Sequence, residues 1–432
     1  MKKKETNLLY DVHETPPFLK WMVLALQHVF AMFGATILVP ILVNQFAGEE
    51  ILSIPMALFA SGVGTIIYCI CTKRKSPVYL GSSFAFISPI VAGYAVAGKP
   101  GVFTALACVG LVYVVIALII KFTNKNWVDK LLPPIVVGPM IMIIGLSLSG
   151  SAISNIGIAA DSIFNYQNVV VAGVTLLTTI IVAMYTKGFL KVIPFLTGII
   201  AGYITAICFG MVDFTAFQNA SFFEMPKFYL MFKDYTPAFG AILTIVPVAL
   251  VTIAEHIGDH TALSHIIGKD LLKDPGLDNS LLGDGIATSV AAIMGGPANT
   301  TYGENTSVVG MTKIASIKVI LTAAIFAIII AFLGKLTALI GSIPAPVIGG
   351  VSILLYGFIS VNGLKVLVQN QIDFGKTKNV VIAAVMLVMG LGNAVINISS
   401  GNFELAISGM SLAAILGILL NICLPEEKEV RE

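Results

Sequence analysis

Residues 295–313 read GGPANTTYGENTSVVGMTK and sit between long runs of Ala, Ile, Val and Leu. Within them Asn299, Thr300, Thr301, Tyr302, Glu304, Asn305, Thr306 and Ser307 follow almost without interruption. An ordinary lipid-facing span cannot carry that set, because hydrocarbon leaves polar groups unpaired. The stretch is therefore a loop in water, or it is backbone that lines a cavity inside the membrane. The rest of the chain decides between the two.

Of 432 residues, 57% are hydrophobic and only 11% charged, against about 25% charged in a soluble domain. That composition describes an all-α, polytopic membrane protein. A net charge of +2 gives no reason to expect nucleic acid as a partner. Apolar segments long enough to span about 30 Å of hydrocarbon begin near Leu19, Leu52, Val78, Val102, Leu131, Val169, Val192, Ala238, Ser280, Pro297, Val319, Pro346, Val380 and Leu405, fourteen in all. The third and the tenth are poor spans by hydropathy, and the tenth is the polar stretch itself.

Charge tests whether they cross. Lys and Arg collect in short cytoplasmic loops. With a cytoplasmic N-terminus and all fourteen segments crossing, 21 of the 25 Lys and Arg residues lie inside, and only Lys99, Lys227, Lys233 and Lys335 lie outside. Removing one weak segment alone would put the later basic clusters on the wrong side. Both termini are then cytoplasmic in a multi-pass protein. The basic start, MKKKETNLLYDVHETPPF, runs into a full-length span with no A-x-A-type site, so no cleaved signal peptide is expected.

Fourteen divides into seven and seven, and an odd number makes the second half enter from the opposite side, an inverted repeat. The third segment, SPVYLGSSFAFISPIVAGYAVAG, is echoed by PANTTYGENTSVV at the matching place in the second half. Both are bounded by Pro and hold small polar residues. Interrupted segments at corresponding places are a pointer to a midplane substrate site in a transporter. No soluble domain is expected, since the longest polar connection, from Asp213 to about Pro237, is short and rich in Phe and Tyr, as an interfacial aromatic belt would be.

A second polar island, TIAEHIGDHTALSHIIGKD, ends the eighth segment. Four residues separate Glu255 from Asp259 and His256 from His260, so each pair shares a helix face. The HExxH order of a zinc helix is absent, and Cys69 and Cys71 have no partners to complete a site, so no metal is expected. Asp259, His260 and His265 also fit a bland reading as the wet end of a helix. Glu255 does not, because an unbroken apolar run from Ala238 precedes it. Glu304 fits bland readings least, since a carboxylate at the centre of a span costs on the order of 2.5–3.5 kcal/mol. A carboxylate kept from water in such a pocket can take up and release a proton. His28 interrupts the first span beside Gln27, Asp284 reads as a helix cap or dipole partner, and Tyr356 reads as an interhelical hydrogen bonder. No catalytic dyad is apparent, so an enzyme is not expected.

QHVFAMFGATILVP, YLGSSFAFISP, TIAEHIGDH, PANTTYGENTSVVGMTK and GGVSILLYG together resemble the nucleobase/ascorbate transporter family, most closely a bacterial branch that carries uracil. The resemblance runs in order from about Pro17 to Leu424. It implies two inverted sevens folded as a core domain (18–124 and 237–342) and a gate domain (125–212 and 343–424), with cytoplasmic tails at 1–17 and 425–432 and an extracellular loop at 213–236. It also implies proton-coupled uracil import across the bacterial cytoplasmic membrane, with the proton as coupling ion, no cofactor, membrane lipid around the protein and a homodimer. By matching position, Glu255 and Glu304 would hold the base, Gly303 and Phe84 would offer backbone donors, and Tyr302 and Tyr356 would border the pocket. His28 would support the site from the first helix, and Glu255, Asp259, Glu304 and His28 are the candidates for proton coupling. Two departures stand out. Asp259 occupies a place that some members fill with His, and Ser307 stands where the signature usually has Gly. The rival readings are the same machine carrying xanthine or urate, or an anion exchanger of the same architecture.

Overall fold

The computed structural model describes residues 8–123, 126–229, 238–392, 394–400, 403–407 and 409–425. Lys2 to Lys4, Lys125, Lys233, part of the aromatic connection and nearly all of the C-terminal tail lie outside the described residues. Helix α1 (Phe18–Ala47) stops at Gly48, whose φ of 73° is the left-handed geometry that ends helices. At about 1.5 Å per residue it is long enough to span a bilayer with turns to spare. Helix α2 (Ile54–Cys71) starts where the Ser53 hydroxyl accepts the Met56 N–H at 3.3 Å, with Pro55 in its first turn.

Strand β1 (Leu80–Ser82) and a 3-10 turn (Phe84–Phe86) then lead into α3 (Ile87–Phe122). The two spans expected from Val78 and Val102 meet inside α3, at Gly98 (φ 62°, ψ −169°) just ahead of Pro100. Only glycine takes that conformation at low cost, and proline removes a helical N–H. Three longer helices follow among shorter ones, α4 (Pro134–Ser147), α5 (Tyr166–Tyr185) and α6 (Pro194–Cys208).

In the second half a short helix (Phe239–Ile245) passes through a 3-10 turn into α7 (Ala249–Ile267), followed by α8 (Leu277–Ile293). Strand β2 (Asn299–Thr301) then precedes α9 (Gly303–Thr312), α10 (Ile317–Ala331), α11 (Ala345–Gln369) and α12 (Thr377–Leu391). The span expected from Leu405 instead begins at Gly409. Leu405 belongs to β4 (Phe403–Ile407), which pairs antiparallel with β3 (Ile396–Ser400) before α13 (Gly409–Cys423). The alternation of INIS and FELAI around Gly401-Asn402 is a hairpin pattern of period two, and it overrides the apolar content.

Among the described residues, seven helices are long and apolar enough to cross a membrane, or eight if α10 and the bent helix Gly334–Gly341 form one span. Helices α6, α12 and α13 are shorter and apolar. The protein is thus an integral, multi-pass, mainly helical membrane protein. Helix α3 packs on α8, and α2 on both α8 and α10; α4 packs on α11, and α5 on α6 and α11. Two of these crossings are glycine to glycine. A Cβ on Gly285 would stand 2.7 Å from the Gly110 carbonyl oxygen, and one on Gly138 3.1 Å from that of Gly363. Such close backbone approach is how helices gain van der Waals contact where lipid offers no hydrophobic drive.

At the end of the bundle where α9 ends and α10 begins, the N-terminal segment acts as a strap. The Leu9 N–H donates to the Lys313 carbonyl (2.7 Å), Ala315 N–H to Tyr10 (3.0 Å) and Ile317 N–H to Val12 (2.9 Å). Lys269, just past α7, donates to both Asp11 carboxylate oxygens at 2.7 Å.

Candidate functional site

Strands β1 and β2 pair antiparallel with each other, Leu80 opposite Thr301, Gly81 opposite Thr300 and Ser82 opposite Asn299. All six residues are buried. The polar stretch is therefore extended backbone inside the protein, and its ladder partner comes from the other interrupted segment. Pairing leaves few backbone groups unsatisfied, which is the condition for non-helical chain at this depth. The Ser83 N–H also donates to the Ala298 carbonyl (3.0 Å) and the Tyr302 N–H to that of Tyr79 (3.0 Å), so the two segments stay in register past the strands.

Where the strands end, helices begin. Helix α9 starts at Gly303, and its first-turn N–H groups have no carbonyl a turn earlier to meet. Tyr302, Gly303 and Glu304 line a cavity of about 320 Å³ with Phe84, Glu255 and Asp259, within the range of small-molecule sites. Glu255 and Asp259 stand one turn apart on α7, facing β2. The Thr300 hydroxyl donates to Glu255 at 3.4 Å and the Thr301 hydroxyl to Asp259 at 2.6 Å. Three carboxylates thus share one cavity with the positive end of a helix dipole. A larger cleft of about 850 Å³ opens between the start of α2 and the 213–227 connection, and it contains none of these residues.

Of the residues singled out from sequence, Glu255, Asp259, Glu304, Phe84, Tyr302 and Gly303 converge on the cavity. The Tyr302 hydroxyl donates to the Ser82 carbonyl (2.9 Å) and receives the Thr36 hydroxyl (3.1 Å), which holds its ring in place. Tyr356 packs edge-on against Phe84, with ring centroids 6.1 Å apart, and so backs the cavity through that ring. His28 lies behind the wall. The Asn305 side-chain amide donates to His28 Nδ1 and to its carbonyl oxygen, both at 3.1 Å, tying α9 to α1.

Two expectations need correction. Asp284 is no cap: it lies midway along α8, fully buried, 2.9 Å from His256 Nδ1. His256 in turn reaches the Ser280 hydroxyl at 2.9 Å. His260 is not at a wet end either, since it is fully buried against Tyr68, with Nδ1 2.8 Å from the His256 carbonyl. His265 alone of that group is exposed. A buried polar pair on two apolar helices is visible only once the helices are placed side by side. The sequence reading also passed over Asn362, Lys365 and Gln369, which line the cavity from α11. Their spacing of three and four residues along an otherwise apolar helix was the available signal.

The cavity floor, at Phe84 and Thr300 to Tyr302, is buried, whereas Ser307, His265 and Gln369 are exposed. The site therefore opens toward the end of the bundle where Lys313, Lys318 and Lys376 lie.

Comparison with known proteins identifies the family. A family model described as a permease family matches residues 19–398. The uracil permease of Bacillus subtilis (strain 168) is 46% identical, over 99% of this chain and 98% of its own length. That of Escherichia coli (strain K12) is 40% identical, over 98% and 97%. Among solved structures, the transmembrane domain of a cyanobacterium bicarbonate transporter, BicA, is similar with a TM-score of 0.58, covering 95% of this chain and all of that one at 14% identity. The murine solute carrier 26 family member A9 anion transporter, in the inward-facing state, gives 0.67 over 95% of this chain and 68% of that one at 12% identity. At such identities the likeness speaks for the fold alone. The chain belongs to the permease family and is a membrane transporter rather than an enzyme.

Proposed function

We propose that the protein imports uracil across a bacterial cytoplasmic membrane, driven by protons, through alternating access. The observation that carries this is the meeting of Glu255, Asp259 and Glu304 with the start of α9 at one buried cavity. Uracil presents alternating N–H and C=O groups along its edge. Carboxylates can accept from the ring N–H groups while backbone N–H groups near Gly303 and Phe84 donate to its carbonyls. A pocket built for those bonds rejects bases that leave them unmatched, because buried unpaired groups are costly. The names of the relatives support the same cargo. An anion cargo is disfavoured by three carboxylates around the cavity.

The finer architecture belongs to this reading: fourteen crossings in two inverted sevens, both termini cytoplasmic, with a core (18–124, 237–342) moving against a gate (125–212, 343–424), and homodimers in the bilayer. Proton uptake among Glu255, Asp259 and Glu304, supported by His28 through Asn305, would lower the charge repulsion inside the cavity and favour inward movement. The test is uptake of radiolabelled uracil into proteoliposomes with and without an inward proton gradient, competed by xanthine and by thymine. Gradient-driven uptake that unlabelled uracil blocks and xanthine does not is expected, with Glu304→Gln losing most of it and Glu255→Gln weakening binding. Wild-type uptake by Glu304→Gln would remove that carboxylate from the site.

A further inference from the structure

Apart from the backbone near Phe84, the proposed site draws its polar groups from one wall, made of α7, β2 and α9. Four of the hydroxyls on that wall are already committed. Thr300 donates to Glu255, Thr301 to Asp259, Ser307 to the Gly303 carbonyl (3.0 Å) and Tyr302 to the Ser82 carbonyl. That wall is therefore rich in acceptors, and apart from the first N–H groups of α9 it has few donors left for a carbonyl of the ligand.

The facing wall is α11. Tyr356, Ile359, Asn362, Lys365 and Gln369 recur every three or four residues, one stripe along the helix, and all but Tyr356 line the cavity directly. Tyr356, whose ring meets Phe84, and Ile359 lie toward the floor, and beyond them the stripe continues as Asn362, Lys365 and Gln369. A Cβ placed on Gly303 would stand 3.6 Å from Asn362 Nδ2 and 3.6 Å from Asp259 Oδ1. The amide and the carboxylate thus approach the same point at the start of α9 from opposite walls. Lys365 Nζ donates to Asn362 Oδ1 at 3.3 Å. An amide whose oxygen accepts from Lys365 presents its NH₂ the other way, toward Gly303 and the cavity.

We propose that Asn362 is a specificity-determining contact: its side-chain N–H donates to a ring carbonyl of the bound base, and Lys365 is the positioning residue that keeps the amide in that orientation. This rests on the uracil reading above and supplies what that site lacks, a donor from the second wall. A ligand held by carboxylates on one wall and an amide on the other draws the two walls together, so recognition and closure are linked through this contact.

The experiment is uracil uptake by the reconstituted full-length protein and by Asn362→Leu, Asn362→Gln and Lys365→Met, each competed by 2-thiouracil and 4-thiouracil, in which sulfur, a poorer acceptor, replaces one carbonyl oxygen. For Asn362→Leu, KM is expected to rise about tenfold, the worth of one good hydrogen bond, with maximal rate little changed. The wild type should discriminate against one of the two thio analogues, and Asn362→Leu should lose that discrimination alone. Asn362→Gln should restore part of it, and Lys365→Met should weaken it by less than Asn362→Leu does. Unchanged KM in Asn362→Leu, or a raised KM with thio discrimination intact, would overturn the assignment, the second outcome marking a packing role. No uracil uptake by the unmodified protein would overturn the cargo reading and this inference with it.

Discussion

Gly81 shows how much of the site rests on a missing side chain. It pairs with Thr300 in the buried ladder, and a Cβ there would overlap the Tyr302 ring. That ring is held at its hydroxyl by Ser82 and Thr36, so it cannot swing aside freely. Overpacking of this kind costs about 1–3 kcal/mol. Gly81→Ala is expected to reduce uracil uptake at least tenfold while the protein still elutes from size-exclusion chromatography as the wild type does; normal uptake would show that the ring moves without consequence. Glu255 and Glu304 were legible as residues because one follows an unbroken apolar run and the other falls within an expected span, where a carboxylate is a costly placement that needs a reason. Asp284 was not, since a Gly on either side made it resemble a helix start; only the packing of α8 on its neighbours brings His256 to it.

At the scale of elements, the strap of residues 9–14 binds the ends of the two elements that carry the carboxylates, α7 through Lys269 and α9 through Lys313. Burial alone would raise the Asp11 pKa, but the Lys269 hydrogen bond and charge, with the Val12 N–H, hold it below the usual 3.8. A carboxylate lowered in the folded state stabilises it above its unfolded pKa, and that contribution fades as pH falls through the folded value. The strap is therefore expected to be whole at neutral pH and to loosen only below about pH 4. Asp11→Asn should lower amide protection at Leu9, Ala315 and Ile317 a few-fold at pH 7 in hydrogen exchange, and the gap from wild type should narrow as pH falls below about 4. Equal protection at pH 7 would mean the backbone bonds alone secure the strap. The two interrupted segments were readable from Pro boundaries and small polar residues, but their pairing was not, because three-residue strands are too short to carry a period. The β3–β4 hairpin was missed for the opposite reason: its apolar content counted toward a span, although its alternation belongs to a strand.

On the scale of the whole molecule, the cavity opens among the described residues toward the end that holds Lys313, Lys318 and Lys376, which the proposed topology makes cytoplasmic. With Cys208 and Cys423 replaced by Ser, Ser307→Cys is expected to react with a membrane-impermeant maleimide in inside-out vesicles and not in right-side-out ones. Reaction from the other side would reverse the topology and the direction of opening. The proposed topology rests on charge placement alone, on where Lys and Arg stand and not on how helices pack. The pairing of β1 with β2 has a further result in time. Leu80 and Thr301 are neighbours in the ladder, yet on the order of 220 residues separate them, which a ribosome adding 5–20 residues per second needs roughly 10–40 s to make. During that interval β1 has no partner, and its N–H and C=O groups cannot face hydrocarbon. The nascent first half must keep that edge against water or an insertion partner until β2 emerges, so the transport site is assembled late in biosynthesis, and a first half released alone would have none.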